Sequence, residues 1–173
     1  MRITICHLSD IHFAVDGNTI LEKQEKLCNA ILQDALKKEV IIFIVSGDIA
    51  QSGQAEEYEI AYNFFTEIQE YLEKKKELRV LFFFVPGNHD CDFTDDQKNK
   101  DDNLRREKVV NERENLSEDE LSYYIEALCR KQQEYRDFVD VFEYDNLEGV
   151  QVKALSHSDL VVQYEVVVEG KGI

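Results

Sequence analysis

The stretch LRVLFFFVPGNHDCD, residues 78–92, joins an apolar run to a polar cluster. Residues 81–85 contain no polar side chain and are too few for a helix, which is typical of a strand buried on both faces of a parallel sheet. Pro86 and Gly87 end the run, because proline and glycine interrupt regular structure. Ligands of open α/β sheets bind beyond the carboxyl ends of the strands, so we expect a functional site here. Three polar residues occupy that position, Asn88, His89 and Asp90.

The segments before this stretch alternate in type. Apolar runs at residues 3–8 and 40–45 predict two further strands. Apolar residues recur at helical spacing over residues 27–35 and 61–72, so a helix is expected between each pair of strands. The order strand, helix, strand, helix, strand indicates an α/β fold that begins with a βαβαβ unit and a parallel sheet. Thr19 and Glu22 fit a capping box that opens the first helix.

The organisation changes after residue 92. Residues 93–115 are strongly charged with few large apolar side chains, and we predict a loop or partly disordered segment there. Ser117 and Glu120 fit a second capping box, and an apolar stripe over residues 121–142 predicts one long helix. We interpret residues 93–147 as a charged helical insertion. It is either a lid or partner surface beside the site, or a helix that simply packs on the sheet.

The end of the sequence predicts two more strands. Residues 150–155 and 160–168 alternate in polarity or are rich in β-branched residues. Residues 169–172 predict a turn, and Ile173 would begin a returning strand whose absence leaves an apolar edge. We therefore expect residues 1–173 to be a single, truncated domain with an incomplete second sheet. A C-terminal half or another domain is expected to cover that edge.

Composition limits the class of protein. The chain has 173 residues, 43% of them hydrophobic, and a mean hydropathy of −0.43, which fits one globular domain. No apolar run approaches the ~20 residues that a bilayer span needs, so no membrane association is expected. Four scattered cysteines without a CxxC pair predict reduced thiols and a cytoplasmic location.

Charge limits the partners. The net charge of −16 disfavours tight nonspecific binding to nucleic acid. A substrate that carries phosphate, including one in nucleic acid, stays compatible with this charge if metal ions supply positive charge at the site.

Polar residues after the three strands have the chemistry of a metal site. Asp10 and His12 are two residues apart, so both can point to one side of an extended segment. A carboxylate with an imidazole suits a divalent transition ion. Gly47 permits a sharp turn that would place Asp48 between two ions, and Asn88 would be a neutral oxygen ligand. Two ions about 3.5–4 Å apart stabilise the attacking and leaving oxygens of a phosphoryl transfer.

Two residues have candidate catalytic roles. His89 is placed to donate a proton to the leaving group. Asp90 could orient the His89 imidazole through its other nitrogen. Each pattern alone is common by chance, and their occurrence in order at three successive strand ends makes the set specific.

The series SDIH, SGDIAQSG and VPGNHD, within residues 1–91, resembles the calcineurin-like metallophosphoesterases. The resemblance implies the start of an αββα sandwich and a dinuclear centre of two divalent ions, Mn, Fe, Zn or Ni. It implies a hydrolase that cleaves a phosphomonoester or phosphodiester with a metal-activated water. Asp10 and His12 would hold one ion, Asp48 would bridge, Asn88 would hold the second, and His89 would assist the leaving group.

The later histidine motifs of that family are absent from this sequence. The family has a further isolated histidine and a Gly-His-x-His motif, whereas this chain has four histidines and no Gly-His pair. We predict that His7 is a core or strand-end residue and that His157 is a loop or surface residue. The chain would then supply about half of a metal site, and activity would need a C-terminal half.

Three functions remain open. The first is the phosphoesterase with a phosphate-ester substrate. The second is a non-catalytic or degenerate phosphoesterase-fold module that binds a protein partner through the charged insertion. The third is an unrelated α/β phosphatase with Asp10 as nucleophile, which would leave Asp48 and His89 without a role.

Overall fold

The parallel sheet is the centre of the computed structural model. It contains three strands in the order β1-β2-β3, all parallel: β1 Ile3–Ser9, β2 Val40–Ser46 and β3 Arg79–Val85. This arrangement confirms the predicted α/β fold. The structure describes residues 2–35, 39–94, 96–142, 144, 147–157 and 162–168, without the side chains of residues 96–99 and 157.

Two helices connect the strands and cover one face of the sheet. They are α1, Gln24–Asp34, and α2, Ala55–Lys76. The helical spacing at residues 61–72 is confirmed, because its apolar side chains are buried against the odd-numbered residues of β2. The core on this face contains Ile41, Phe43, Val45, Ala61, Phe64, Phe65, Ile68, Leu72 and Phe82.

One predicted capping box is wrong and the other is confirmed. A 3₁₀ turn over Leu21–Lys23 precedes α1, and neither this turn nor α1 has a side-chain cap. The turn supplies the missing acceptors itself, since the amide of Gln24 bonds to the carbonyl of Leu21. Ser117 and Glu120 form the predicted box, with the Ser117 amide 3.0 Å from Glu120 Oε2.

The charged segment is more helical than its composition predicts. The expected loop at residues 93–115 contains α3, Asp96–Glu112, which packs against α4, Glu118–Cys129. The expected single helix over residues 121–142 is divided by a 3₁₀ turn into α4 and α5, Gln133–Asp140. Composition was misleading because α3 presents no strong apolar stripe and is held partly by ion pairs of the buried Asp102 carboxylate with Arg105 and Lys131.

The last two described strands cover part of the other face of the sheet. β4, Val150–His157, and β5, Val162–Val168, form an antiparallel pair. Val150 packs with Val40 and Leu81 in a second apolar cluster. The predicted start of β5 at residue 160 and the turn at residues 169–172 lie outside the described residues, as does Ile173. Within the described ranges, no helix has both the length and the apolarity that a bilayer span requires.

Candidate metal centre

Three loops meet at the carboxyl edge of the parallel sheet. The loop after β1 runs beside the loop after β2, because the His12 amide donates to the Asp48 carbonyl at 2.9 Å and the Phe13 amide to the Ile49 carbonyl at 2.8 Å. The loop after β2 is also tied to the end of β3. Parallel strands end at one edge of a sheet, so the side chains that follow them are brought together.

The backbone at this edge is unusual. Asp10, His12 and Asp48 have φ angles of 52°, 55° and 48°, in the left-handed region that residues other than glycine seldom occupy. Glu77, which ends α2, is the other such residue in the described chain. The extended geometry predicted for Asp10 and His12 is therefore wrong. Strained residues of this kind concentrate at functional sites.

One group of side chains could share a metal ion. Atoms of His12, Asp48 and His89 that can act as ligands all lie within 4.8 Å of one another. His12 Nε2 is 3.9 Å from Asp48 Oδ2, and the rings of His12 and His89 meet edge to face with centroids 4.7 Å apart. Two imidazoles with one carboxylate are a donor set that divalent transition ions prefer.

The environment of His12 fits a cation. Its Nδ1 atom is buried and has no hydrogen-bond partner in the part of the chain that the structure describes. A buried polar atom without a partner is costly, and such atoms in native structures commonly mark a site for water or an ion. The residues present therefore fit a bound divalent metal.

Gly87 allows Asp48 to reach its position. A Cβ atom at Gly87 would overlap the Asp48 carboxylate and its backbone nitrogen. The His89 amide donates to Asp48 Oδ1 at 2.9 Å, which fixes one carboxylate oxygen and leaves Oδ2 on the His12 side. The sequence indicated only that Gly87 ends a strand, and the structure adds this close approach.

The expected contact between Asp90 and the His89 imidazole is not what the structure contains. His89 Nδ1 lies 2.7 Å from the carbonyl oxygen of Gln51. Because a carbonyl oxygen only accepts, Nδ1 carries the hydrogen and the ring is oriented by the main chain. The Asp90 carboxylate is fully buried behind the loops and accepts from the amides of Ile49, Ala50 and Gly87 and from the Tyr58 hydroxyl.

A family model described as calcineurin-like phosphoesterase matches residues 3–170. The chain belongs to the calcineurin-like phosphoesterase family. Members of this family are generally hydrolases of phosphate esters that use divalent metals. The match extends beyond residues 1–91, where the motifs lie, through the charged helical segment and both strands of the second sheet. A search of curated proteins gave no match.

The metal ligands predicted from the sequence are only partly gathered. Asp10 is exposed and lies outside the group formed by His12, Asp48 and His89. Asn88 is exposed beside His89. Both stay predictions as metal ligands.

Among the histidines whose side chains the structure describes, His7 also lies outside the group. His7 is exposed near the carboxyl end of β1, with Nε2 2.6 Å from Ser46 Oγ, so of the two expected places the strand end is correct and the core is wrong. It is exposed because alternate residues of β1 face the side of the sheet away from α1 and α2, which the second sheet covers only in part. The His157 backbone is in β4, and its side chain lies outside the described residues.

Sequence reasoning missed two groups at this site. The Gln51 carbonyl could not be found from residue type, because every residue has a carbonyl. Tyr58 is on α2 and fits the apolar helix face that packs on the sheet. Its hydroxyl contact with Asp90 depends on how α2 is placed against the loops, for which the sequence carries no local signal.

Proposed function

We propose that this chain supplies part of the dinuclear centre of a cytoplasmic, metal-dependent phosphoesterase, which hydrolyses a phosphomonoester or phosphodiester with a metal-activated water once the centre is complete. One observation carries the proposal: His12, Asp48 and His89 converge within 4.8 Å at the carboxyl edge of the sheet. The membership of the family supports the reaction class.

The proposed ligand set divides between two ions, which would be Mn, Fe, Zn or Ni. Asp10 and His12 would hold the first ion, Asp48 would serve both, and Asn88 would serve the second. Support for the role of Asp48 comes from its position between the loops after β1 and β3. The mixed nitrogen and oxygen donors favour a transition ion over Ca²⁺.

The metals, when bound, would activate the attacking water and offset the charge on the phosphoryl oxygens. The chain supplies orientation and a proton. Its Gln51 carbonyl holds the His89 ring by Nδ1–H, so Nε2 faces the site and gives a proton to the leaving oxygen when both ring nitrogens carry a hydrogen. For this reason His89 is assigned to neither ion. The His89 amide bonds to the Asp48 carboxylate, so the position of the proposed metal ligand Asp48 depends on the position of the proposed acid His89.

Direct measurement of metal binding tests the proposal. Isothermal titration with Mn²⁺ should detect binding to the chain and a loss of at least about tenfold in affinity for His12→Ala. His7→Ala is the matched control, because His7 is exposed on β1 and outside the group. Equal affinities for the two variants, or no binding by the unmodified chain, would refute a metal site at this edge.

The alternative is a non-catalytic module with the same fold. It is favoured by the small number of histidines, four in the chain, and by the lack of any Gly-His pair. Hydrolysis of bis-p-nitrophenyl phosphate by a longer chain that also carries the later histidine motifs separates the two functions, since a binding module with an intact metal site would not turn over the ester.

A further inference from the structure

The Asp90 carboxylate accepts four hydrogen bonds beside the candidate metal centre. Oδ1 accepts from the Ala50 amide at 2.9 Å and the Tyr58 hydroxyl at 2.9 Å. Oδ2 accepts from the Gly87 amide at 2.8 Å and the Ile49 amide at 3.2 Å. Each oxygen of a carboxylate can accept two hydrogen bonds, so its capacity is filled.

The four donors come from different parts of the fold. Ile49 and Ala50 directly follow Asp48 in the loop after β2, and Gly87 is in the loop after β3. Tyr58 is in the first turns of α2. Asp90 therefore connects both loops to each other and connects the pair to a helix. Burial, together with the neighbouring Asp90, raises the pKa of Tyr58, so its hydroxyl keeps its proton and donates.

These contacts act on the metal centre through the main chain. His89 follows Gly87 by two residues, and its amide bonds to Asp48 Oδ1. Its ring nitrogen bonds to the carbonyl of Gln51, which follows Ala50. A shift of one loop against the other would change both contacts at once, and with them the separation of Asp48 and His89.

We propose that Asp90 and Tyr58 are positioning residues, which fix the two loops so that Asp48 and His89 keep the geometry of the metal centre. In this role Asp90 acts on the backbone around His89 and makes no hydrogen bond to the imidazole. The role of these residues in metal binding rests on the proposed function. Their role in fixing the positions of the imidazoles does not depend on a metal.

Tyr58→Phe is the variant of choice because it removes one donor and keeps the ring. The ring stacks on Phe138 with centroids 5.3 Å apart, and that contact survives the change. Asp90 keeps three amide donors, so the chain should fold. Tyr144→Phe is the matched control. It also deletes a partly buried hydroxyl that donates, at 2.8 Å, to the Phe82 carbonyl away from the site.

The first measurement uses the chain without metal. Proton–nitrogen correlation spectra of the imidazoles are simple, because the chain has four histidines. Tyr58→Phe should move the signals of His12 and His89, and Tyr144→Phe should leave them in place. A merely structural hydroxyl would lower stability in both variants without this selectivity. Unmoved His12 and His89 signals in Tyr58→Phe, or equal movement in Tyr144→Phe, would overturn the proposal.

The second measurement is Mn²⁺ affinity by titration calorimetry. Removing a group that supports metal ligands typically weakens binding 10–100-fold, and we expect about tenfold for Tyr58→Phe and none for Tyr144→Phe. Asp90→Asn should weaken binding further than Tyr58→Phe, because its amide group cannot accept from two of the four donors. Equal affinity in Tyr58→Phe and Tyr144→Phe would contradict the role in metal binding. An unmodified chain that binds no Mn²⁺ would refute the proposed function, and the imidazole spectra would still decide the positioning role.

Discussion

The backbone amide of His89 donates a hydrogen bond to Asp48 Oδ1 across 2.9 Å, and this bond links the loops after β2 and β3. It turns the second oxygen, Oδ2, toward His12 Nε2 at 3.9 Å. An amide bond to a carboxylate is charge-assisted and orients the acceptor. The orientation of Asp48 is thus set before any ligand binds.

Gly87→Ala should disrupt the metal centre from the backbone. The added Cβ would overlap Asp48, so either the loop or the carboxylate must move. We expect a loss of about 1–3 kcal/mol in the free energy of unfolding, as for other overpacked sites, and at least tenfold weaker Mn²⁺ binding. Denaturant unfolding and calorimetry measure the two effects.

Gly17→Ala is the control for that variant. Gly17 has a φ of 84° with no atom within 4 Å of an added Cβ, so only backbone strain is introduced. It should lose stability and keep its Mn²⁺ affinity. Normal Mn²⁺ binding by Gly87→Ala would show that the close approach to Asp48 is dispensable.

Metal should stabilise the folded chain selectively. A ligand that binds only the folded state raises the thermal midpoint, and imidazole donors favour Mn²⁺ over Ca²⁺. We expect millimolar Mn²⁺ to raise the thermal midpoint more than Ca²⁺ does. In Asp48→Ala the two ions should have equal effects. Differential scanning fluorimetry gives the midpoints. Equal shifts with both ions, or a Mn²⁺ response that persists in Asp48→Ala, would indicate nonspecific binding.

Hydrolysis should be weak in this chain. Displacement of catalytic groups by ~1 Å can cost ~100-fold in rate, and the later histidine motifs of the family are missing from residues 1–173. We expect little release of p-nitrophenol from bis-p-nitrophenyl phosphate with Mn²⁺.

Activity should appear in a longer chain that carries those motifs. There, His89→Ala should lower turnover and spare metal content, whereas Asp48→Ala should lose both. Strong activity from residues 1–173 would point to a ligand outside the described group, with His157 the first to test.

A buried charge pair should stabilise the charged helical segment. Lys131 Nζ lies 3.1 Å from Asp102 Oδ2 and 4.6 Å from the centre of the Phe93 ring. Lys131→Ala should lower the free energy of unfolding by about 2–3 kcal/mol. Breaking a buried ion pair typically costs about 3–5 kcal/mol, and the loss is smaller here because Arg105 stays bonded to Asp102. The neighbouring Arg130→Ala should cost under about 1 kcal/mol, since its pair with Glu126 is exposed. Urea unfolding gives the free energy of unfolding of both variants. Equal losses in Lys131→Ala and Arg130→Ala would show that the buried ion pair does not stabilise the fold.

Stability should fall in alkaline solution. Burial raises the pKa of Tyr58, Tyr135 and Tyr144 above the usual value, with Asp90 adding to the effect at the first two. Unfolded tyrosine loses its proton near pH 10 while these folded residues retain theirs, so their contribution is complete below about pH 10 and is lost as the pH rises further. Denaturant unfolding from about pH 9 to about pH 11 should give a declining free energy, with a shallower decline in Tyr135→Phe. If the free energy of unfolding of Tyr135→Phe declined as steeply as that of the unmodified chain, the buried tyrosines would not be the cause.

The sheet and the positions of the site loops could be predicted from the sequence, for physical reasons. Apolar runs such as residues 40–45 are too short for helices and too continuous for strands with one exposed face. They therefore predict strands of a parallel sheet that is buried on both faces. Placing polar residues directly after those runs then put Asp48 and His89 at the same edge. These inferences need only local pattern and the geometry of parallel strands.

The details that failed depend on burial and tertiary contact. Asp90 beside His89 suggested a side-chain pair, but its carboxylate is enclosed by amides from a loop 40 residues earlier in the chain, at Ala50. The helix α3 was missed because charge predicts exposure and says little about a segment that pairs Asp102 with Lys131. Neither contact leaves a periodic signal in the residues that make it.

The order β1-β2-β3 follows the order of synthesis, and every contact described for the metal centre lies between residues 10 and 90. Within this sheet each strand pairs with its neighbour in the sequence through a single helical crossover, so the pairing needs no segment that lies beyond β3. On a ribosome, this whole segment emerges before α3 does. Domains assemble from the N-terminus as they are made, so the loops around Asp48 and His89 can acquire their arrangement while the helical segment is still being translated.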